Sequence, residues 1–228
     1  MTKILEGTES AVISDGFPQK LLDGYHCFRN HRLIDESERY LELAKTGQKP
    51  EIMVIACCDS RSSPEVIFQA AHGEMFVVRN VGNMIPPYMS NGDYGISAAL
   101  EFAVQGLFVK HIIVMGHRQC GGIQAFQKKI ECGIGNPLSP DDFIGKWISF
   151  LQPIADCFSL NGPETGEDLQ RKLEEQSIRQ SISNLKTFPY VSSLLKKNQI
   201  HLHGAWFDIS SGDLWTLDSR SDLFLKIC

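Results

Sequence analysis

The sequence predicts an α/β protein with a mostly parallel central β-sheet flanked by helices and preceded by an N-terminal helical arm. Two observations support this prediction. Short and almost wholly apolar runs alternate with helical patterns, and the last two such runs are joined by turn residues instead of a helix. Unbroken apolar runs are typical of strands covered on both faces. These last two runs, joined by a turn, predict an antiparallel edge strand near the C-terminus.

The first 50 residues form the predicted arm, and residues 51–228 form the α/β core; we expect the two to make a single domain. Within Phe17–Lys45, leucines, aromatic residues and charges recur at helical spacing. Gly47 and Pro50 then end the pattern, because glycine and proline are typical of helix ends.

Three apolar runs predict the first strands of the core, and two helical patterns lie between them. The strands are predicted at Ile52–Ala56, Met75–Val78 and His111–Met115, and the helices at Pro64–Ala71 and Ile96–Leu107. Strands that alternate with helices form crossover units, which predict a parallel sheet.

The remainder of the chain is mainly helical and ends in a predicted hairpin. The segment Ser139–Asp142 is typical of a helix start. One helix face is predicted from apolar residues at helical spacing, namely Leu169, Leu173, Ile178, Ile182 and Leu185. The runs His201–Ile209 and Leu214–Leu217 flank turn residues and predict the closing pair of strands.

Composition excludes several classes of partner. The chain has 22 basic and 27 acidic side chains and a net charge of -5, so it lacks the basic excess that nucleic acid binding requires. No window approaches the roughly 18 apolar residues of a membrane span. The seven cysteines are odd in number, and the N-terminus has no apolar leader. We therefore expect a soluble cytoplasmic protein with free or metal-bound thiols.

Potential metal ligands follow two of the predicted strands. A cysteine pair, Cys57 and Cys58, ends one strand, and His117 and Cys120 end another. The carboxyl ends of parallel strands meet at one edge of the sheet, where open α/β sheets bind ligands. Two thiolates and one imidazole suit zinc, and three protein ligands leave a position for water, as in catalytic sites. Successive strand residues point to opposite faces, so one cysteine of the pair faces the site, and spacing alone leaves open which one.

Asp59 and Arg61 follow the cysteine pair and indicate how such a site would work. The aspartate can accept a hydrogen bond from zinc-bound water, and the arginine can hold that carboxylate by a bidentate pair. Zinc-bound hydroxide attacks small electrophilic carbons. Apolar walls and one amide donor suit a small, nonpolar, linear substrate, and the candidates are Phe76, Val81, Phe102 and Gln48.

These residues give the sequence a resemblance to the β-carbonic anhydrases. The pattern C-x-D-S-R at Cys57–Arg61 and the pattern H-x-x-C at His117–Cys120 carry it. Further matching segments run from Gly47–Pro50 through Gly73–Asn83 to His203–Asp208. In this family the ligand is the cysteine two positions before the aspartate. The resemblance therefore implies that Cys57, and not Cys58, binds zinc.

The resemblance also implies the activity and the roles of the site residues. Members hydrate carbon dioxide reversibly to bicarbonate and a proton, with a zinc-bound hydroxide and one zinc ion per chain. They assemble as homodimers or higher homo-oligomers whose N-terminal helices embrace the neighbour, and their pockets borrow residues across the interface. The implied roles are zinc ligation by Cys57, His117 and Cys120, catalysis by Asp59 and Arg61, and substrate binding by Gln48, Phe76, Val81 and the Gly121 backbone.

The sequence departs from the family pattern at two positions. Phe102 replaces the pocket tyrosine of many plant-type members, which removes a hydroxyl donor. Val54 stands where members controlled by bicarbonate carry tryptophan, which implies that this second bicarbonate site is absent. Two other functions use the same ligands. One is hydrolysis of carbonyl sulfide or carbon disulfide, and the other is a non-catalytic module that senses zinc or bicarbonate.

Overall fold

The chain divides into two compact units, and the second carries the predicted site. The first unit ends at Gly47 and the second begins at Gln48, close to the predicted boundary at residue 50. That the arm and the core fold together as one domain stays a prediction. The computed structural model describes residues 16–89, 94–132, 142–157 and 166–227. Within those ranges, no helix combines the length and the apolar character that crossing a membrane requires.

The first unit contains the helices predicted for the arm. They are α1 (Gln19–Asn30), α2 (Arg32–Asp35) and α3 (Ser37–Thr46). The last helix ends where Gly47 adopts a positive φ of 75° and donates its N–H to the Leu43 carbonyl over 2.9 Å. Glycine suits this position because it lacks the Cβ that makes a positive φ costly for other residues.

The second unit is built on a six-stranded sheet in the described residues, with the order β2-β1-β3-β4-β5-β6. Its strands are β1 (Ile52–Cys57), β2 (Met75–Asn80), β3 (His111–His117), β4 (His201–Phe207), β5 (Leu214–Asp218) and β6 (Leu223–Lys226). Strands β1 to β4 pair with one another in parallel. Strand β5 pairs antiparallel with β4 on one side and with β6 on the other. The predicted α/β class and antiparallel edge are confirmed. Strand β6 was not predicted because its four residues are too few to show a pattern.

The helices of the second unit are α4 (Pro64–Ile67), α5 (Gly95–Glu101), α6 (Gly121–Cys132), α7 (Phe143–Ile148), α8 (Gln152–Cys157), α9 (Gly166–Leu185) and α10 (Pro189–Lys196). Two predicted helices differ from the observed ones. The first ends at Ile67 because Gln69 takes a positive φ of 48°. The second continues from α5 as a π-helix over Phe102–Gly106. The predicted helix start at 139–142 lies outside the described residues except for Asp142.

Helix α9 packs directly behind the sheet, and its predicted apolar stripe is confirmed by the burial of Leu173, Ile178 and Leu185. Ile178 fills the space above two strand glycines. A Cβ added to either Gly116 or Gly204 would lie 2.9 Å from the Ile178 side chain. The glycines therefore allow α9 to approach β3 and β4 closely, near the carboxyl end of β3.

Candidate metal centre

Three side chains that could hold a metal ion converge at the carboxyl edge of the sheet. Strands β1 and β3 are parallel neighbours, so their last residues, Cys57 and His117, lie at the same edge of the sheet, one position out of register. Cys120 comes from the turn that leads into α6. One ligand atom from each of these three residues lies within 4.8 Å of the others, and all three residues are buried. The two sulfur atoms are 3.8 Å apart.

The geometry distinguishes Cys57 from Cys58 without reference to any family. Cys57 is 5% exposed and faces the Cys120 sulfur, whereas the next residue, Cys58, is exposed. This is the expected result of strand alternation, which points neighbouring side chains in opposite directions.

The imidazole of His117 has an unused acceptor that fits a metal ion. Its Nδ1 lies 2.9 Å from the Arg118 carbonyl oxygen, which can only accept, so Nδ1 carries the proton. Nε2 is then the nitrogen with a free lone pair. It is buried and has no hydrogen-bond partner among the described residues. A buried acceptor without a hydrogen bond destabilises the folded protein unless a cation binds to it. Sulfur and imidazole nitrogen are ligands that zinc prefers.

The site also favours a thiolate. The hydrogen bond from Cys120 is the largest influence that lowers the pKa of Cys57. The backbone N–H groups of Asp59 and Gly82 act in the same direction, and burial opposes them. The same hydrogen bond raises the pKa of the donor, Cys120. The pair therefore shares one proton, which a metal ion held by the two sulfurs would displace.

Asp59 is held by three hydrogen bonds from Arg61. Its Oδ1 accepts from the backbone N–H and from Nε, both over 2.9 Å, and its Oδ2 accepts from Nη2 over 2.7 Å. The side-chain hydrogen bonds from Arg61 hold the pKa of Asp59 well below its usual range. Oδ2 also lies 3.9 Å from His117 Nε2. The carboxylate is thus ionised and fixed beside the three ligands.

Arg79 fixes the loop that carries Cys57 and Asp59, and sequence reasoning did not identify it. Its Nε donates to the Cys57 carbonyl over 2.8 Å, and its Nη2 donates to the Asp59 carbonyl over 2.6 Å. A charged residue near the end of the otherwise apolar strand β2, at the same sheet edge, was the signal that could have found it.

Glu174 supports the centre from behind and was also missed. This carboxylate on α9 is 1% exposed. Its Oε1 accepts from the Cys120 backbone N–H over 2.9 Å and from Gln170 over 3.0 Å, and its Oε2 accepts from the Trp206 indole over 3.0 Å. Burial raises the pKa of Glu174, although these donors oppose the shift. The carboxylate therefore positions the backbone that presents the Cys120 sulfur.

Replacing Glu174 with alanine should lower the free energy of unfolding by about 3 kcal/mol, because three buried donors would lose their acceptor. Denaturant unfolding of the zinc-loaded protein measures this change. Glu175→Ala is the matched control. This neighbouring carboxylate forms ion pairs along the helix with Arg171 and Arg179, and its loss should cost about 1 kcal/mol or less. Equal losses in the two variants would contradict the supporting role of Glu174.

Two of the four predicted substrate-binding residues lie near the three ligands. Val81 is 39% exposed and packs on Gly122, where an added Cβ would lie 2.8 Å from a Val81 methyl group. The carbonyl of Val81 accepts a hydrogen bond from Trp147 over 2.7 Å. Gly121 is exposed at the start of α6, and a Cβ there would meet nothing within 4 Å. Both residues therefore border the ligands, and the Gly121 backbone faces open space.

The other two, Gln48 and Phe76, lie toward the opposite edge of the sheet. Gln48 precedes β1, so the whole length of that strand separates it from Cys57. Phe76 is in register with Met53, four residues before Cys57, which corresponds to about 13 Å along the strand. Its ring packs against Phe102 with a centroid distance of 5.9 Å. A single chain therefore does not bring Gln48 or Phe76 to the three ligands.

The fold and the site define an α/β protein whose centre has three side chains that could hold a metal ion and an adjacent ionised carboxylate. The family model described as Carbonic anhydrase matches residues 52–214. Beta carbonic anhydrase 3 of Arabidopsis thaliana is 34% identical over 212 residues, which cover 89% of this chain and 78% of that protein. A carbonic anhydrase of Synechococcus elongatus is 33% identical over 208 residues, 89% of this chain and 72% of the other.

Comparison with solved structures indicates the same family as these relatives. The structure of the β-carbonic anhydrase CcaA is 30% identical, has a TM-score of 0.85 and matches over 92% of both chains. The chain belongs to the carbonic anhydrase family and, within it, to the β class. The members of this class are zinc-dependent lyases that hydrate carbon dioxide, and this chain is an enzyme of that kind.

Proposed function

We propose that this enzyme interconverts carbon dioxide and bicarbonate at one zinc ion per chain, held by Cys57, His117 and Cys120. The observation that carries the proposal is the buried, unpaired Nε2 of His117, which faces two sulfurs and lies 3.9 Å from the Asp59 carboxylate. Zinc held there supplies a Lewis acid that makes water a nucleophile near neutral pH.

Asp59 orients the attacking water in this proposal. Its Oδ2 accepts one hydrogen bond from Arg61, which leaves that oxygen a further lone pair beside the ligands. A water that donates to Asp59 Oδ2 has its own lone pair turned toward the carbon of the substrate. Arg61 keeps the carboxylate ionised and prevents it from moving onto the metal. The backbone of Gly121 and the side chain of Val81 form the near wall of the pocket.

The remaining wall comes from a second copy of the chain. Gln48 and Phe76 lie at the edge of their own sheet that is far from the ligands, and Phe102, whose ring packs on Phe76, is 54% exposed. An exposed aromatic ring and an exposed amide donor suit a surface that completes a neighbour's pocket. The protein is therefore a homodimer or a higher homo-oligomer with shared sites.

Mixing two inactive variants tests the shared pocket. Cys120→Ala lacks a metal ligand, and Gln48→Ala lacks the amide donor. If sites combine residues from two chains, a mixed oligomer contains sites with intact ligands from one chain and intact Gln48 from the other. Co-expression of the two variants should then restore carbon dioxide hydration above either variant alone. Activity that never exceeds the concentration-weighted average of the two would contradict sharing.

Stopped-flow hydration assays with a pH indicator test the substrate. We expect carbon dioxide to be turned over faster than carbonyl sulfide or carbon disulfide by the same zinc-loaded preparation. Preferred turnover of a sulfur analogue would support the same-fold hydrolase instead. A zinc-loaded protein with no turnover of any of these substrates would support the sensing module.

The proposed compartment is the cytoplasm. The thiols of Cys27, Cys57, Cys58 and Cys120 are free, and a reducing compartment keeps thiols available for metal binding. Fractionation of cells that produce the full chain, followed by detection with an antibody, tests this assignment.

A further inference from the structure

Three histidines lie together toward the amino edge of the sheet, at the other end of β3 from the metal centre. His111 begins β3 and is in register with His201 on β4, and His203 follows on the same face. The ring of His111 stacks on that of His201 with a centroid distance of 5.3 Å and lies 5.2 Å from that of His203. His111 and His117 are six positions apart along β3, which corresponds to about 20 Å.

Two ring nitrogens in this cluster are spaced as ligands of one metal ion. His111 Nδ1 and His203 Nε2 are 3.0 Å apart. Two metal–nitrogen bonds of about 2.1 Å that meet at a right angle place their nitrogens about 3.0 Å apart, whereas a tetrahedral angle gives about 3.4 Å. The observed spacing therefore matches cations with octahedral or square-planar coordination.

The charge state of the cluster also suits a cation. Partial burial of the ring, followed by the charges of His111 and His201, lowers the pKa of His203, so its imidazole is neutral near neutral pH. Neutral imidazole is the form that binds metals. In the present hydrogen bond, one of the two facing nitrogens carries a proton. A metal ion takes the place of that proton, which moves to the other nitrogen of the same ring by a change of tautomer.

The surroundings leave the pair His111 and His203 accessible to a cation from solvent. His203 is exposed, and the nearby ammonium group of Lys110 is paired with the Glu51 carboxylate, which reduces its repulsion of a cation. The backbone N–H of His111 donates to the Glu51 carbonyl over 3.1 Å, which fixes the start of β3. Water can complete the coordination.

We propose that His111 and His203 form a second metal site, separate from the Cys–His–Cys centre, that binds nickel(II) or copper(II). His201, stacked on His111, is the neighbouring imidazole that supplies a third nitrogen after a rotation of its side chain. The proposal is independent of the reaction at the first centre.

Nickel titration of the zinc-loaded full-length protein tests the proposal. Isothermal titration calorimetry should detect one nickel ion per chain, while metal analysis after dialysis shows that the zinc is retained. Copper(II) bound in place of nickel should give an electron paramagnetic resonance spectrum with coupling to at least two nitrogens. His203→Ala and His111→Ala should each lose this binding, and His31→Ala, which removes an exposed histidine of the N-terminal arm, should keep it.

Two results would overturn the second site. One is the absence of nickel binding by the zinc-loaded protein, which would leave the cluster a hydrogen-bonded group only. The other is unchanged nickel binding in both His203→Ala and His111→Ala, which would assign the ion to a different surface. Neither result bears on carbon dioxide hydration, so failure here is distinguishable from failure of the proposed catalytic centre.

Discussion

Cys120→Ala and Cys57→Ala are each expected to lose bound zinc and carbon dioxide hydration together. Each sulfur supplies one of the three buried donors, and the two sulfurs lie only 3.8 Å apart. Removing one leaves a single thiolate and one imidazole, too few to hold zinc against dialysis. Metal analysis and a stopped-flow assay on the same dialysed sample measure both losses. Retention of one zinc ion per chain in either variant would contradict the ligand assignment.

Cys58→Ala is the matched control for the cysteine variants. It removes the adjacent thiol, which is exposed and points away from the three ligands. Zinc content and hydration rate should both equal those of the unaltered protein. Loss of zinc from Cys58→Ala alone would reverse the choice between the two cysteines.

Arg61→Ala should keep its zinc but lose turnover by about a hundredfold, a typical effect of removing a group that orients the reacting atoms. Asp59 would lose the hydrogen bonds of the guanidinium, which now fix both of its oxygens. The carboxylate lies 3.9 Å from His117 Nε2, so once freed it would be able to ligate a metal ion held there and exclude the reacting water. Stopped-flow rates of zinc-loaded protein measure the effect.

Arg61→Lys separates charge from geometry. Lysine keeps the positive charge but cannot form the two parallel hydrogen bonds of a guanidinium with one carboxylate. We expect a rate between those of the alanine variant and the unaltered protein. A wild-type rate in Arg61→Ala would exclude the proposed role of the pair, and loss of zinc from that variant would show that Arg61 supports the ligands instead.

The parallel strands and the edge where they end could be predicted from the sequence, because both depend on local patterns. Apolar runs located β1, β2 and β3, and the polar residues that follow Ala56 and Met115 marked the carboxyl edge. Helix lengths were less predictable. The positive φ of Gln69 and the π-helix after Glu101 depend on tertiary packing, which no local pattern records.

The candidate ligands of the site could be predicted from the sequence, but the residues that position them could not. Cys57, His117 and Cys120 have a chemistry and a spacing that mark them in the sequence. Glu174 is separated from Cys120 by 54 residues and resembles any other glutamate of an amphipathic helix. The contact between His111 and His203 joins residues 92 apart, and only the register of β3 with β4 brings them together.

Zinc removal and restoration on one preparation tests the central claim most directly. The protein is dialysed against a chelator, assayed for zinc content and carbon dioxide hydration, and then assayed again after addition of one equivalent of zinc. We predict that activity disappears with the metal and returns with it in proportion to occupancy. Undiminished hydration by the metal-free protein would contradict the account.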